Sequence, residues 1–385
     1  MKRIILAPDS FKGSVTATEA CEAIARGIRQ VLPEVEIVSL PMADGGEGTV
    51  DALVAATGGT RRQAPVRGPL GEDILAVYGM LGETGTRTAI IEMAASSGLP
   101  LVPPDQRNPL NTTTYGLGEL ILDALAQGCK KILLGLGGSA TNDGGCGMAQ
   151  ALGSRFYNPA GTEIDTYITG RLIGAISRVD CAELREVIRG VEFVAACDVT
   201  NPLLGENGAS YTYGPQKGAT PEIVRELDAN LAHVYDLIEA ETGEQVRNIS
   251  GAGAAGGLGA AVLSFLNAKL ERGIELVMRE SGFAEKITGA DLIITGEGRI
   301  DKTSAQGKTL SGIAAAASLR NIPVIALAGS VEEGTAIAQE IGLDAIIPIC
   351  HKSLPLEQAM AQGKALLELT AAGLAHLKGL RDETD

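Results

Sequence analysis

The sequence predicts an α/β protein in which a doubly wound parallel sheet is interrupted by a second α/β domain. Two observations support this prediction: short apolar runs alternate with helical patterns near both ends of the chain, and this regular alternation is lost between them. A chain of 385 residues is also long enough for two or more domains with separate cores. We therefore expect a discontinuous domain of residues 1–43 and 287–385 around an inserted domain of residues 44–286.

The N-terminal part begins as a regular strand–helix–strand unit. An apolar run at 2–7 predicts a buried strand, and Thr16 and Glu19 behind it have the spacing of a helix capping box. A second strand is predicted at 35–40, and a helix follows it at 50–56. The elements predicted for the inserted part are β-like runs between 61 and 92, helices at 115–127, 148–152, 220–240 and 260–270, and strands at 132–134 and 191–197.

The strand–helix alternation returns near residue 290. The elements predicted there are strands at 291–295, 324–328 and 345–349 and helices at 310–319, 334–341 and 356–380. With the first two strands, this gives five strands joined by helices, as in the flavodoxin-like fold. Ligands of such sheets bind beyond the carboxyl ends of the strands, so we expect the functional residues in the loops at those ends.

The composition limits the kinds of partner. The formal net charge is −15, and the resulting field opposes binding to nucleic acids. Six scattered cysteines without CxxC spacing, and three histidines without a ligand pair, support neither a zinc site nor disulfides. No secretory segment and no apolar run of about 20 residues is visible, so we expect a cytoplasmic protein without membrane contact. The sequence leaves a monomer and a homodimer both open.

A glycine-rich loop stands between a strand and a helix in the segment 130–147. An apolar strand is followed there by five glycines within eleven residues and then by the start of a helix. This order suits phosphate, because backbone N–H groups and a helix N-terminus can bind its oxygens. The loop matches neither the Walker pattern nor GxGxxG, and a tight turn under packing pressure explains the glycines equally well. The candidates for phosphate contact are Gly137, Gly138, Ser139, Thr141, Asn142 and Asp143, with Lys217 from a later segment.

Polar and charged residues also follow three strands of the discontinuous domain. Such residues are common in ordinary turns, but loops at neighbouring strand ends lie together in space, and their coincidence favours a site. These candidates are Asp9, Ser10, Lys12, Asp44, Glu47, Glu297, Arg299 and Asp301, followed by Lys302, Gly307 and Lys308. The inserted domain adds Asp198, Asn201, Gln216 and Lys217.

These residue types match one kind of chemistry. The carboxylates of Asp198, Glu297 and Asp301 suit a hard cation such as Mg²⁺. Lys12 and Arg299 suit phosphate or carboxylate oxygens and supply positive charge locally. A Ser-His-Asp arrangement is not available, because histidine is nearly absent. A phosphate-binding loop, cations, Mg²⁺ and a carboxylate base together indicate phosphoryl transfer.

Seven segments of the chain resemble, in the same order, the bacterial two-domain glycerate kinases. They are APDSFKGS (7–14), ADGGEGT (43–49), GLGGSATNDGG (135–145), ACDVTNPLLG (196–205), GPQKGA (214–219), GAGAAGGLG (251–259) and ITGEGRID (294–301). The resemblance implies a flavodoxin-like domain with an inserted domain, and it implies ATP-dependent phosphorylation of D-glycerate with Mg²⁺. It also implies transfer to O2 of glycerate, which gives 2-phosphoglycerate.

The resemblance allows roles to be expected for individual residues. Lys12 and Arg299 would hold the glycerate carboxylate or the transferring phosphate. Asp198 would be the general base and Asp301 would lie near Mg²⁺, although these two roles can be exchanged. The other candidates for the substrate site are Asp9, Ser10, Asp44 and Glu47.

Two alternatives come from other functional classes. A non-catalytic sensor of sugar acids or nucleotides would need an output element, and no DNA-binding helix pair or basic face is visible. A nicotinamide-dependent oxidoreductase would need a GxGxxG fingerprint after the first strand, where the chain instead reads PDSFKG.

Overall fold

The computed structural model describes residues 2–82, 85–305, 308–332 and 334–382, and it divides the chain into two compact units. Gly307, named above, lies outside the described residues. The first unit comprises Met1–Asp44, Asp51–Gly58 and Ile274–Asp385, and the second comprises Gly45–Val50 and Gly59–Gly273.

The secondary structure of both units follows in chain order. The strands are β1 Arg3–Pro8, β2 Glu36–Ser39, β3 Thr60–Arg67, β4 Asp73–Met80, β5 Thr88–Glu92, β6 Lys131–Gly135, β7 Arg155–Tyr157, β8 Arg178–Asp180, β9 Glu192–Ala196, β10 Lys269–Glu271, β11 Leu292–Ile300, β12 Val324–Val331 and β13 Ala345–Pro348. The α-helices are α1 Ala17–Val31, α2 Thr49–Thr57, α3 Ala94–Ser97, α4 Tyr115–Ala126, α5 Cys146–Ala151, α6 Ala182–Val187, α7 Ala209–Tyr213, α8 Pro221–Thr242, α9 Ala254–Leu266, α10 Gly273–Glu280, α11 Phe283–Lys286, α12 Thr309–Ser318, α13 Gly334–Ile341, α14 Leu356–Ala361 and α15 Gly363–Asp382. Short 3₁₀ helices lie at Leu99–Leu101, Pro104–Gln106, Leu172–Ala175, Pro215–Lys217 and Lys302–Ala305.

The chain returns to the first unit earlier than the sequence suggested. The sequence predicts this boundary at residue 286, whereas the first unit of the structure resumes at Ile274. Ile274 lies against Gly312 of α12, where a methyl group on the glycine would approach Ile274 Cγ1 to 2.8 Å. The ammonium of Lys286 donates a hydrogen bond to the carbonyl oxygen of Ala56 at 2.8 Å, also within the first unit. These contacts explain why α10 and α11 pack with the first unit.

The first unit is built on a five-stranded parallel sheet with the order β13-β12-β11-β1-β2. Counted along this unit the order is 5-4-3-1-2, which is the flavodoxin-like arrangement. The residues Ile4, Ile5 and Leu6 of β1 are buried, as expected for a parallel strand that is covered on both faces. The predicted fold class is therefore confirmed.

Helix α1 begins with the predicted capping box. The N–H of Glu19 donates to Thr16 Oγ1 at 3.2 Å, and the N–H of Thr16 donates to Glu19 Oε2 at 3.0 Å. Two backbone donors that have no partner inside the helix are thereby satisfied. This prediction from residue spacing is confirmed.

Strand β11 is longer than the sequence indicated. A strand was expected at 291–295, but its pairing with β12 continues through Arg299↔Ser330 and Ile300↔Val331. The apolar pattern ends at Thr295, so the extension depends on the neighbouring strand rather than on local sequence. Glu297 and Arg299 consequently lie on the strand and not in the loop after it.

The predicted terminal helix 356–380 is divided into α14 and α15. The hydroxyl of Ser14 donates to the carbonyl oxygen of Met360 at 2.5 Å, next to the break at Gln362. A methyl group on Gly363 would approach Ser14 Oγ to 2.4 Å, so the backbone passes Ser14 closely at this point. The break therefore arises from a contact with the loop after β1, which the local sequence does not reveal.

The second unit contains a six-stranded sheet with the order β10-β9-β6-β5-β4-β3. Strands β5, β6, β9 and β10 are parallel, whereas β3, β4 and β5 pair antiparallel. The ends of three parallel strands are level, because Glu92 pairs with Gly135 and Gly135 with Ala196. The glycine-rich loop after β6 and the Asp198 loop after β9 thus leave the sheet from the same edge. Strand β10 was not predicted, since three residues carry no readable pattern.

Among the described helices, none combines the length and the apolar character that crossing a membrane requires.

Candidate active site

A cavity of about 540 Å³ lies at the carboxyl edge of the first unit's sheet. This volume is within the range of small-molecule sites. Seven of the predicted residues line it together, namely Asp9, Ser10, Lys12, Asp44, Glu297, Arg299 and Lys308. The cavity is also lined by Ser304 and Thr309, and by the apolar residues Phe11, Ile349, Leu356 and Met360. The sheet thus brings residues from widely separated segments to one place.

Asp9 is a buried carboxylate in the wall of this cavity. One oxygen accepts the N–H of Ser10 at 2.6 Å, and the other accepts the hydroxyl of Thr309 at 2.7 Å. Burial raises the pKa of Asp9, and the nearby charge of Asp44 raises it further, while the Thr309 hydrogen bond opposes the shift. Asp9 is therefore oriented by fixed donors and placed beside a second carboxylate.

Glu297 is a second carboxylate of this cavity whose pKa is shifted by its surroundings. Ser304 donates its hydroxyl to Glu297 Oε1 at 2.6 Å. The pKa of Glu297 is raised to about 7, chiefly by burial and also by the charges of Asp9 and Asp301, while the Ser304 hydrogen bond and Lys308 oppose the shift. Such a group of carboxylates is stabilised by any cation that binds beside it.

The cations of the cavity differ in their pairing. Arg299 is paired with Glu332, and its Nε lies 3.5 Å from Asp301 Oδ2. Its side chain is 61% exposed, so an incoming anion can reach it by displacing Glu332. Lys12 is also exposed and lines the cavity. Lys12 and Arg299 can therefore present positive charge to a bound carboxylate or phosphate.

Sequence reasoning did not identify Ser304 and Thr309 as members of the site. Both are buried and both orient a carboxylate, Ser304 on Glu297 and Thr309 on Asp9. The available signal was their position in, or directly after, the short polar stretch that precedes α12 and contains the candidate Lys308. That signal is weak, because such stretches are common before helices.

The metal candidates were Asp198, Glu297 and Asp301. In the described ranges, 2–82, 85–305, 308–332 and 334–382, no group of three or more Asp, Glu, His or Cys residues could hold a metal ion. Glu297 and Asp301 do influence each other's charge, and their oxygens are the hard ligands that Mg²⁺ takes. Mg²⁺ in kinases is held by only one or two carboxylates together with phosphate oxygens, so this pair fits such an ion.

The glycine-rich loop of the second unit presents open backbone donors. Gly137 and Gly138 are exposed, and Gly138 has a left-handed backbone with φ of 77°. The N–H groups of Gly137, Gly138 and Ser139 donate to no acceptor in the part of the chain that the structure describes. The loop is held by hydrogen bonds on either side, for example from Ala140 N–H to Ser97 O at 2.9 Å. Consecutive N–H groups without an acceptor, on a loop that is held on both sides, suit the oxygens of a phosphate.

Asp143 lies inside the second unit and holds the far end of this loop. Its carboxylate accepts the N–H and the hydroxyl of Thr114, both at 2.8 Å. It also accepts the N–H groups of Gly145 and Gly147 at 3.1 and 3.2 Å. Burial raises its pKa, while these hydrogen bonds oppose the shift. The carboxylate is fully buried and its hydrogen bonds support the loop, and its contact with ATP stays a prediction.

Three further candidates for cofactor contact are buried in the same way. Asn142 donates its side-chain amide to Ser210 Oγ at 2.9 Å, and Thr141 and Asn142 have no exposed surface. Lys217 is 2% exposed and donates to Ser139 Oγ and to the Thr141 carbonyl oxygen, both at 2.7 Å. Of the candidates in the loop, Gly137 and Gly138 are the exposed residues, and ligand contacts of the buried ones stay predictions.

The GAGAAGGLG segment is explained by packing against this loop. Three consecutive residues at the start of α9 have positive φ: Ala255 (52°), Gly256 (70°) and Gly257 (91°). A methyl group on Gly256 would approach the carbonyl oxygen of Thr141 to 2.0 Å. The N–H of Gly144 donates to the Gly256 carbonyl oxygen at 3.1 Å. These contacts explain the glycines of the segment by close packing against the 141–144 part of the loop.

We expect Gly256→Ala to destabilise the protein by about 1–3 kcal/mol more than Gly190→Ala. The two glycines have nearly equal φ, 70° and 72°, so the strain of a left-handed alanine is common to both variants. Gly190 has open space around it, whereas Gly256 meets the Thr141 carbonyl. Chemical denaturation followed by circular dichroism measures the difference, and equal losses of stability would contradict the packing interpretation.

Two further candidates, Asp198 and Glu47, lie in the second unit. Asp198 follows β9, is exposed, and accepts the N–H of Gly273 through Oδ1 at 3.0 Å. Glu47 is exposed in the ADGGEGT segment and does not line the cavity of the first unit. The same segment lies against the glycine-rich loop, since a methyl group on Gly137 would approach Gly46 Cα to 3.0 Å. The two glycine-rich motifs therefore need glycine for their mutual contact.

Comparison with known proteins decides the family. The model of the glycerate kinase family matches residues 4–378, nearly the whole chain. This chain belongs to the glycerate kinase family. A glycerate kinase of Halalkalibacterium halodurans is 49% identical over 375 residues, which cover 97% of this chain and 98% of that protein. The glycerate 2-kinase of Escherichia coli K12 is 46% identical over 357 residues, with 93% of each chain covered.

A solved structure agrees with this assignment. A crystal structure described as a glycerate kinase 2 of Salmonella typhimurium LT2 superimposes with a TM-score of 0.90 at 43% identity, and 99% of each chain is covered. That structure therefore has the same fold as this chain over nearly the full length of both. The resemblance found in the motifs, and the prediction of a kinase that uses ATP, are confirmed by the family match.

Proposed function

We propose that this chain transfers the γ-phosphoryl group of ATP to O2 of D-glycerate and releases 2-phosphoglycerate. The observation that carries the proposal is the cavity of the first unit, which is lined by Lys12, Arg299 and Lys308 in a chain of net charge −15. An anionic substrate is repelled by the overall field, so it needs such a local group of cations. Membership of the glycerate kinase family supports glycerate as that anion.

Each part of the reaction has proposed residues. Lys12 and Arg299 bind the glycerate carboxylate or the transferring phosphate, with Asp9, Ser10 and Asp44 around them in the same cavity. The open N–H groups of the 137–139 segment bind phosphate oxygens of ATP. Asp198 accepts the proton of the attacking hydroxyl. Glu47 stays a substrate candidate on sequence grounds alone.

Glu297 and Asp301 are the residues proposed to hold Mg²⁺. The bound ion would neutralise the negative charge on phosphate oxygens. Glu297 fits this role because it is buried among other carboxylates, so a cation beside it offsets their repulsion. Asp301 is half-buried beside Arg299. Asp198, the third metal candidate, is assigned here as the base, and the exchange of roles with Asp301 is tested by the variants described below.

The other functional classes are less well supported. A sensor or a nicotinamide-dependent oxidoreductase would be unusual in a family defined by kinases. The choice of O2 over O3 is supported by the name of the Escherichia coli relative, glycerate 2-kinase. The cytoplasmic location expected from the sequence stays a prediction, as does the absence of nucleic-acid and membrane partners.

We expect the product to be 2-phosphoglycerate. The enzyme is incubated with ATP, Mg²⁺ and D-glycerate, and the product is identified by phosphorus NMR and by direct conversion with enolase. Conversion without added phosphoglycerate mutase supports transfer to O2, because enolase acts on the 2-phosphate. L-Glycerate serves as the control for stereochemistry. A requirement for the mutase would point to O3, and a lack of ADP formation with D-glycerate would contradict the kinase assignment itself.

A further inference from the structure

A buried lysine supports the glycine-rich loop from the interior of the second unit. Lys217 reaches the loop from the 3₁₀ helix Pro215–Lys217, 78 residues from Ser139 in sequence. Its ammonium donates to Ser139 Oγ and to the carbonyl oxygen of Thr141, both at 2.7 Å. These partners directly follow the exposed pair Gly137 and Gly138. Lys217 therefore fixes the part of the loop from Ser139 to Thr141, which follows the exposed residues Gly137 and Gly138.

The charge of this lysine is only partly compensated within the protein. Within the described residues, the charged group that acts on it is the carboxylate of Asp143. That carboxylate is shared among four hydrogen bonds to Thr114, Gly145 and Gly147. Burial lowers the pKa of Lys217 to about 7 even with Asp143 nearby. An apolar side chain at this position would avoid the cost of desolvating a charge. A second anion close to the buried ammonium would offset that cost.

We propose that Lys217 is a positioning residue of the phosphate-binding loop, which it holds through Ser139 and Thr141 while placing a buried positive charge behind a phosphate bound at 137–139. The inference rests on the proposed function, since the anion is a phosphate of the nucleotide. Ser139 carries both the hydroxyl that Lys217 holds and one of the open N–H groups. The Lys217 ammonium therefore acts on a phosphate bound by the Ser139 N–H through Ser139, and it needs no direct contact with that phosphate.

This arrangement links nucleotide binding to proton uptake. Without a bound anion, burial keeps the pKa of Lys217 at about 7, so the side chain is largely neutral above that pH. A bound phosphate favours the charged form and raises the pKa of Lys217. The complex therefore holds more protons than the free protein between pH of about 7 and the raised pKa. By linkage, affinity for the nucleotide falls as pH rises through that window.

The test measures ADP binding by isothermal titration calorimetry near pH 8 in two buffers with different ionisation enthalpies. The pair of buffers gives both Kd and the number of protons taken up. Wild-type protein is expected to take up a fraction of a proton. Lys217→Met has similar length but no charge, so it is expected to take up fewer protons and to bind ADP about 10- to 100-fold more weakly. Lys217→Gln keeps a donor without the charge, so we expect an intermediate Kd and the reduced proton uptake.

The matched control is Lys286→Met. Lys286 also donates its ammonium to a backbone carbonyl, that of Ala56 at 2.8 Å, but it belongs to the first unit. Its replacement is expected to leave Kd and proton uptake at wild-type values. A merely structural lysine would lower the melting temperature in Lys217→Met while Kd and proton uptake stayed unchanged, and that result would overturn the proposal.

The remaining outcomes are also decisive. If Lys217→Met fails to fold, the wild-type measurement decides alone, and no proton uptake would overturn the proposal. Kinase activity measured on the same samples separates this inference from the proposed function. If the enzyme is active but Lys217→Met leaves the Kd for ADP and the proton uptake unchanged, only the inference is contradicted. If the wild-type protein neither binds ADP nor shows kinase activity, both the inference and the proposed function are contradicted.

Discussion

Replacing Asp198 by asparagine is expected to lower kcat by roughly 10²–10⁴-fold, while the fold and the affinity for ATP are retained. Transfer to an alcohol needs a group that accepts the proton of the attacking hydroxyl, and an amide cannot do so. Asparagine does keep an oxygen that can accept the N–H of Gly273, the hydrogen bond that Asp198 makes at 3.0 Å. The loss should therefore appear in kcat and not in stability. Steady-state kinetics with varied glycerate, together with ATP binding, measures both.

Asp228→Asn is a matched control for this variant. Asp228 is another carboxylate of the second unit that accepts a backbone N–H, that of Gly205 at 3.0 Å. Its replacement changes the same atoms but lies outside the proposed site, so kcat should stay near the wild-type value. Unchanged kcat in a folded Asp198→Asn variant would remove Asp198 from the chemical step.

The exchange of roles between Asp198 and Asp301 has its own signature. If Asp301 is the base, Asp301→Asn shows the large loss of kcat, and Asp198→Asn mainly raises the Mg²⁺ concentration needed for half-maximal rate. The present assignment predicts the reverse pattern. Titrating Mg²⁺ at saturating ATP and glycerate for both variants distinguishes the two.

Replacing Lys12 by alanine is expected to cost about 2–4 kcal/mol of transition-state stabilisation, which is a loss of roughly 30- to 1,000-fold in kcat/KM for glycerate. Lys12 lines the cavity and influences the charge of Asp9, so its ammonium belongs to the site's electrostatic balance. The net charge of −15 makes the loss of one local cation more serious, because nothing in the overall field replaces it. Initial rates with varied glycerate measure the effect.

Lys364→Ala controls for a general change of charge. Lys364 is an exposed lysine of the first unit whose ammonium pairs with Glu19 at 2.6 Å, and surface pairs of this kind contribute little. Lys364→Ala changes the net charge by the same amount as Lys12→Ala, but it should leave kcat/KM near the wild-type value. Near-normal kinetics in Lys12→Ala, equal to those of Lys364→Ala, would exclude Lys12 from the substrate site.

The sequence alone determined the elements that depend on local pattern. The apolar run at 2–7 predicted β1, since a parallel strand covered on both faces requires a continuous apolar run. The run at 35–40 predicted β2, an edge strand whose residues are only partly buried. The capping box of Thr16 and Glu19 was readable because its partners are three residues apart. The site residues Asp9 and Lys12 were readable because they directly follow a strand, and ligands bind where parallel strands end.

Other features were decided only by contacts between distant segments. Thr309 orients Asp9 across 300 residues of sequence, and Lys217 holds Ser139 across 78. Such pairs depend on the order of strands in each sheet, which a local pattern does not encode. The break between α14 and α15 has the same origin, because Ser14 bonds to the Met360 carbonyl.

The glycine-rich loop after β6 shows most clearly which features the sequence determined and which the tertiary structure decided. Its composition indicated phosphate binding, but composition gives no information about which side of a loop faces the solvent. The fold leaves Gly137 and Gly138 exposed and buries Asp143 and Lys217, two charged residues that the sequence grouped with them. Burial matters for these two residues, because a desolvated charge must be satisfied by fixed neighbours. The sequence therefore determined which residues belong to the loop, and the tertiary structure decided which of them are buried and which are exposed to solvent.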